Sequence, residues 1–221
     1  MAVIHHTHVK PTKLELLTSW LPGRPWYGGD AGGPELEKAG GFRLDDPAGE
    51  VGIEFMVVND TSGPEPVTYS VPLTYRGAPL EGAEHALVGT MEHGVLGQRW
   101  AYDGCHDPVL VAQLAALLEG RAQAQAQSVS DAPDLDVAVS YTGEGPLPVA
   151  LTAADDAEGS VLAAPGVALR LHRMLRPAPD GSVASPAAGV LGQVSGVWRA
   201  PDGARVRGVF AELHRTPTPE A

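Results

Sequence analysis

The chain carries a single cysteine, Cys105, which excludes an internal disulfide and a cysteine-based zinc centre. Lysine is nearly as scarce, with only Lys10, Lys13 and Lys38, and Asn59 is the one asparagine. Lys and Arg total 15 against 27 Asp and Glu, a formal net charge of −12, and no basic stripe interrupts that excess. Such a surface repels phosphate backbones and anionic lipid, so neither nucleic acid nor membrane is an expected partner. No run of 18 apolar residues occurs, and Met1–Lys10 has no apolar signal core. The expected compartment is therefore the cytoplasm.

What the chain does have is punctuation. Glycine (27) and proline (20) together exceed a fifth of the 221 residues, which favours many short elements joined by turns. The length suits one large domain or two small ones, enough to bury a core without covalent staples.

Two helices are legible. Thr12 and Glu15 have capping-box spacing ahead of Leu14, Leu17 and Leu21, with Pro22 ending the run. Asp107 as N-cap, Pro108 at the first helical position and Gly120 past the end bracket a second, amphipathic helix carrying Leu110, Leu114, Leu117 and Leu118. Residues 23–50 read as an ordered loop with a short helical turn at Pro34–Ala39. Val51–Val58 reads as a buried strand and Val67–Arg76 as its antiparallel partner, with Pro72 implying an edge or a bulge. Ala83–Glu92 is undecided, while Val95–Asp103 reads as a strand.

Arg121–Pro133, poor in apolar residues, is a soft boundary. Beyond it everything reads as strand: Asp136–Tyr141, Val149–Thr152, Ser160–Ala163, Val167–Leu175, Gln193–Arg199 and Arg205–Leu213, the last two joined by a Pro201–Asp202–Gly203 turn. The expected fold class is α+β: a predominantly antiparallel β-sheet with an N-terminal helix and one central amphipathic helix packed on the sheet. The expected organisation is 1–125, a β-rich part over 134–215 that either stands apart or shares the first core, and a disordered tail over 216–221.

The segment Trp20-Leu21-Pro22-Gly23-Arg24-Pro25-Trp26-Tyr27-Gly28-Gly29 resembles the opening of the N-terminal cap domain of actinobacterial maltokinases. A strand like Val67–Arg76, a Tyr102-Asp103 pair and a helix like Pro108–Leu118 follow in the family's order, so the resemblance spans roughly residues 10–120. It implies a domain that packs on the N-lobe of a kinase phosphorylating maltose at C1 with ATP. The kinase itself is missing. Phosphoryl transfer of this kind needs a catalytic aspartate, a downstream asparagine and a second, magnesium-holding aspartate. His172 is followed by Arg173-Met174 rather than an aspartate at the right spacing, no asparagine follows Asn59, and no lysine follows Lys38. The family's catalytic residues therefore have no counterparts here.

Three groups of residues are candidates for chemistry. Arg24, Trp26 and Tyr27 would recognise a ligand or a partner through aromatic stacking and planar hydrogen bonds, or would close the first helix over the sheet as core. Glu92, His93, Asp103 and His106, with Glu84-His85 nearby, would form a polar or metal cluster if the fold brings them together, although no fixed ligand spacing supports it. Their alternative role is in turns and caps. His5, His6 and His8 read as a solvated terminus. Cys105 beside His106 is not by that fact a nucleophile and base, because sequence neighbours need not be spatial partners.

The sequence thus points to a stand-alone, non-catalytic, maltokinase-cap-like interaction module of α-glucan, maltose or trehalose metabolism. It implies no cofactor. Its partners would be a sugar kinase, a trehalose synthase, a glucan branching enzyme or a second copy of itself. The alternative is a small enzyme or ligand- and metal-binding protein built on the 84–107 cluster.

Overall fold

A computed structural model describes residues 8–30, 32–127, 132–148, 150–179 and 186–217. Its first helix, α1 (Lys13–Trp20), begins where the capping box says it should. Glu15 N donates to Thr12 Oγ1 at 3.2 Å and Thr12 N donates to Glu15 Oε2 at 2.6 Å. The second helix, α2 (Pro108–Leu118), starts at N-cap Asp107 and is followed by Gly120 at φ 72°.

Among the described residues, thirteen strands make one sheet. In chain order they are β1 (Val9–Lys10), β2 (Leu36–Leu44), β3 (Gly52–Asp60), β4 (Val67–Arg76), β5 (Leu87–His93), β6 (Gly97–Asp103) and β7 (Gln125–Ala126). There follow β8 (Ala138–Tyr141), β9 (Thr152–Asp156), β10 (Gly159–Ala164), β11 (Val167–His172), β12 (Val190–Arg199) and β13 (Arg205–Arg215). Across the sheet the order is β1-β5-β6-β4-β3-β2-β12-β13-β11-β10-β9, with β7 beside β2 and β8 beside β12. Every pairing is antiparallel.

The path also closes on itself. Just after β11, Met174 bridges Tyr69 of β4, with Ser70 N donating to Arg173 O and Leu175 N to Thr68 O, both at 2.8 Å. The strands β4, β3, β2, β12, β13 and β11 therefore form a ring. Pro72 sits inside this ring rather than on an edge strand. It falls between the two neighbours of β4, after the Met174 bridge and before β6 takes over at Leu73. A residue without an N–H is tolerated at such a gap.

Strand β3 is buried on both faces, which is why its sequence from Ile53 to Val58 is apolar apart from Glu54. Ile53, Phe55 and Val57 face a core shared with α2 and with β10 to β13, including Leu110, Leu114, Leu169, Val194 and Phe210. Phe42 stacks on Phe55 at 4.5 Å and meets Phe210 edge-on at 5.6 Å. Met56 and Val58 face a second core beneath α1, with Leu17, Trp20, Trp26 and Tyr69. Strands on both sides of residues 127–132 belong to the one sheet and line the larger core.

Strand β2 replaces the loop and helical turn expected over Pro34–Ala39. The pattern was hidden by Gly40 and Gly41, at φ 142° and 119°, which bulge the strand between Lys38 and Gly40 and break the alternation of its side chains. A Cβ on Gly41 would lie 1.9 Å from Phe55 O, so the close approach of the two strands requires glycine there. The bulge leaves β2 and β12 joined by one residue pair, Gly40–Trp198. Asn59 reinforces this seam: its Nδ2 donates to Arg199 O at 3.0 Å, and its Oδ1 accepts from Thr68 Oγ1 at 2.8 Å. Replacing Asn59 with alanine leaves a buried hydroxyl and a carbonyl short of partners. The expected loss is about 1–3 kcal/mol, measured by urea denaturation. A change under ~0.5 kcal/mol, the size of an ordinary surface substitution, would show that the staple is idle.

Glu54 lies on the α1 side of β3. It is buried and paired with Lys13, and it accepts from Tyr75 Oη at 2.7 Å and Gln127 Nε2 at 3.0 Å. Burial alone would raise its pKa, but Lys13 and these hydrogen bonds outweigh it and hold the pKa below the ordinary 4.5. A depressed folded-state pKa means that the stabilisation is complete above pH 4.5 and is lost as pH falls through the folded value. Stability should therefore decline with acid below pH 4.5, and Glu54→Gln should flatten that decline in denaturation curves taken across pH 2–6. An unchanged slope in the variant would count against it.

Candidate functional site

The segment Asp103-Gly104-Cys105-His106-Asp107 links the end of β6 to the start of α2 through a tight turn. Both aspartates are buried, at 1% and 0% exposure, and each holds an arginine. Arg76, on β4, meets Asp107 with two bonds, Nε to Oδ2 and Nη2 to Oδ1, both 2.6 Å. This fork geometry fixes the first turn of α2, whose Val109 N donates to the same Oδ1 at 2.9 Å.

Arg173 comes from the far end of the sheet order and is wholly buried. Its Nη2 donates to Asp103 Oδ1 and Oδ2 at 2.7 and 2.6 Å and to Cys105 Sγ at 3.3 Å, and its Nε donates to Ser160 Oγ at 2.8 Å. Ser160 in turn donates to Asp155 of β9. The guanidinium lies over the Trp26 ring, 4.9 Å from its centroid. Asp103, Arg173, Ser160 and Trp26 thus tie together β6, β10, the strand closing the ring and the loop after α1.

That arrangement settles where the candidate residues stand. Trp26 is core, 1% exposed, packed against Trp20 and Tyr69 at 5.8 and 5.9 Å. It presents no face to a ligand. Tyr27 donates to Asp60 Oδ2 at 3.0 Å; burial and that carboxylate push its pKa up to about 12. Arg24 lies over the Trp20 ring at 4.7 Å. These three residues hold the loop after α1 in place, with Trp26 in the core and Arg24 and Tyr27 half-buried at its surface.

Of the second group, the fold brings Asp103 and His106 together but leaves Glu92 and His93 elsewhere. His93 pairs with Gly97 at the opposite end of β6 from Asp103, roughly 20 Å away at ~3.3 Å per strand residue. His93 Nδ1 accepts from Val95 N and Leu96 N, shaping the β5–β6 turn, and Glu92 is exposed beside Lys10 of β1. In their place stand His85, which the sequence sets near the cluster, and Asp155, which nothing in the sequence singles out. One oxygen or nitrogen from each of Asp103, His106 and Asp155 lies within 4.8 Å of the others. His85 Nε2 is 3.1 Å from His106 Nδ1. Burial lowers the pKa of His106, with the neighbouring carboxylates opposing.

Cys105 is 1% exposed, and burial drives its thiol pKa far above the ordinary value despite Arg173. A nucleophile must be a thiolate, so Cys105 is a packed apolar group at neutral pH. His5 and His6 lie outside the described residues.

Arg173 was detectable in one respect. In Val167–Leu175 the inward positions alternate as Leu169, Leu171 and Arg173, which places an arginine where the pattern demands an apolar side chain. A buried arginine needs a buried acid, although nothing in the sequence says that Asp103 is the one.

Among the described residues, no helix is long and apolar enough to cross a membrane. No curated protein matches the chain. Residues 20–107, from the end of α1 to the N-cap of α2, match the family model of the maltokinase N-terminal cap domain, and this segment is what the chain shares with that family.

Proposed function

We propose that this chain is a non-catalytic, cytoplasmic binding module of α-glucan, maltose or trehalose metabolism. It would act by docking onto an enzyme such as a sugar kinase, a trehalose synthase or a glucan branching enzyme. The match over residues 20–107 supports the link to maltose chemistry. The observation that carries the non-catalytic reading concerns Asn59. Kinase-type phosphoryl transfer needs an asparagine to hold magnesium near the phosphates. The one asparagine here is 3% exposed inside β3, with its amide bonded to Thr68 and to Arg199 O. The aspartates of the cap-like segment that are buried beside α2 are likewise engaged, by Arg76 and Arg173.

The test mixes the purified chain with each candidate enzyme and follows complex formation by light scattering and calorimetry. A complex with one of them at a Kd of about 10 μM or tighter is the expected result. ATP-dependent phosphorylation of maltose by the chain alone would overturn the reading. A homodimer that ignores all three enzymes would replace the proposed partner with a second copy of the chain.

A further inference from the structure

Two turns and one strand that are remote in the sheet order converge at His106. His85 stands in the turn before β5, His106 in the turn after β6, and Asp155 on β9 at the opposite edge of the sheet. The two imidazoles meet edge to face, with centroids 4.7 Å apart and Nε2 of His85 3.1 Å from Nδ1 of His106. Ligands on a tetrahedral metal with bonds of 2.0–2.1 Å have donor atoms about 3.3 Å apart. The imidazole pair already has that spacing, and it is contributed by separate elements rather than by neighbours on one turn.

The surroundings suit a cation of the first transition row. His106 is half-buried, within reach of His85 and of both carboxylates. Asp155 accepts the Ser160 hydroxyl on one oxygen, which orients the carboxylate and leaves its second oxygen for a ligand. Asp103 is within reach, but Arg173 occupies both of its oxygens, so it supplies charge balance more than a bond. Two imidazoles and a carboxylate favour zinc over calcium or magnesium, which prefer all-oxygen sites. His85 is exposed and His106 and Asp155 are half-buried, so an ion has a route in and an open coordination position.

Asp103, His106 and Asp155 each bring a ligand atom within 4.8 Å of the others, and the exposed His85 reaches this group through His106. We propose that His106 and Asp155, backed by Asp103 and completed by a turn of the His85 ring, form a zinc-binding site that clasps the β5 and β6 turns to β9. This site does not depend on the docking role, and it uses neither Glu92 nor His93.

The full chain, stripped with EDTA, is titrated with zinc chloride by calorimetry and followed by thermal melting. About one ion per chain should bind, and Tm should rise by roughly 5–10 °C when free zinc exceeds its Kd a hundredfold. Exposed His85→Ala should keep the fold and weaken binding at least tenfold, as should His106→Ala. Because His5, His6 and His8 can also take zinc, a variant with all three replaced by alanine serves as a control and should keep both the binding and the Tm shift. His93→Ala should keep them too. No Tm shift, a shift that survives His85→Ala, or one that vanishes with the tail histidines overturns the proposal.

Discussion

Replacing Arg173 with methionine is expected to destabilise the protein by about 3–5 kcal/mol, the range for breaking a buried ion pair from one side. The loss has little to do with the attraction between the two charges. It arises because Asp103, 1% exposed, keeps its charge with no counter-ion, and because Ser160 Oγ and the face of Trp26 lose their partner. Urea denaturation measures the change. A companion variant decides the cause: Arg173→Met combined with Asp103→Leu removes both charges and should recover most of the lost stability. A single-variant loss below ~1 kcal/mol would mean that water reaches Asp103, in conflict with the dry junction described. A double variant no better than the single would mean that packing on Trp26, rather than charge, dominates.

The second large effect concerns the boundary of the fold. Residues 20–107 match a domain family, yet that segment expressed alone is expected not to fold. Phe42, Leu44, Ile53, Phe55 and Val57 lie inside it, and the side chains that cover them, among them Leu110, Leu114, Leu169, Leu171 and Phe210, lie beyond it. Asp103 would also lose Arg173, and β2 would lose β12 and β7. Circular dichroism against urea should show no cooperative transition for the segment and a sigmoidal one for the full chain. A sharp transition with dispersed amide resonances from the segment alone would show that a domain ends at Asp107 after all.

What the sequence reveals of this fold is local. The capping box at Thr12 and Glu15 and the Asp107-Pro108 start of α2 can be read directly, since a cap acts within three residues of itself. Strand β3 is legible from its short apolar run, and β4 from the alternation of Val67, Tyr69, Val71, Leu73 and Tyr75. Strand β2 is not, because Gly40 and Gly41 serve a contact with Phe55 O that only the folded chain reveals. The same divide runs through the candidate site. His106 and Asp103 stand out as polar residues beside a helix start, whereas His85, Asp155, Ser160 and Arg173 reach them from sequence separations of up to 70 residues. Glu92 and His93 drew attention by repeating the pattern Glu84-His85, but a turn needed His93 for its own amides.

The closed ring of strands has a consequence for how the protein is made. On the ribosome, β2 to β6 emerge first, but the Met174 bridge that completes the ring, and β12 and β13 that cover Phe42, come about 70–110 residues later. At translation rates of about 5–20 residues per second, the nascent chain waits several seconds with the apolar side of β3 unprotected. During that interval it is a natural client for a holding chaperone, and synonymous codons that slow synthesis between residues 108 and 174 would lengthen the wait without changing the finished molecule.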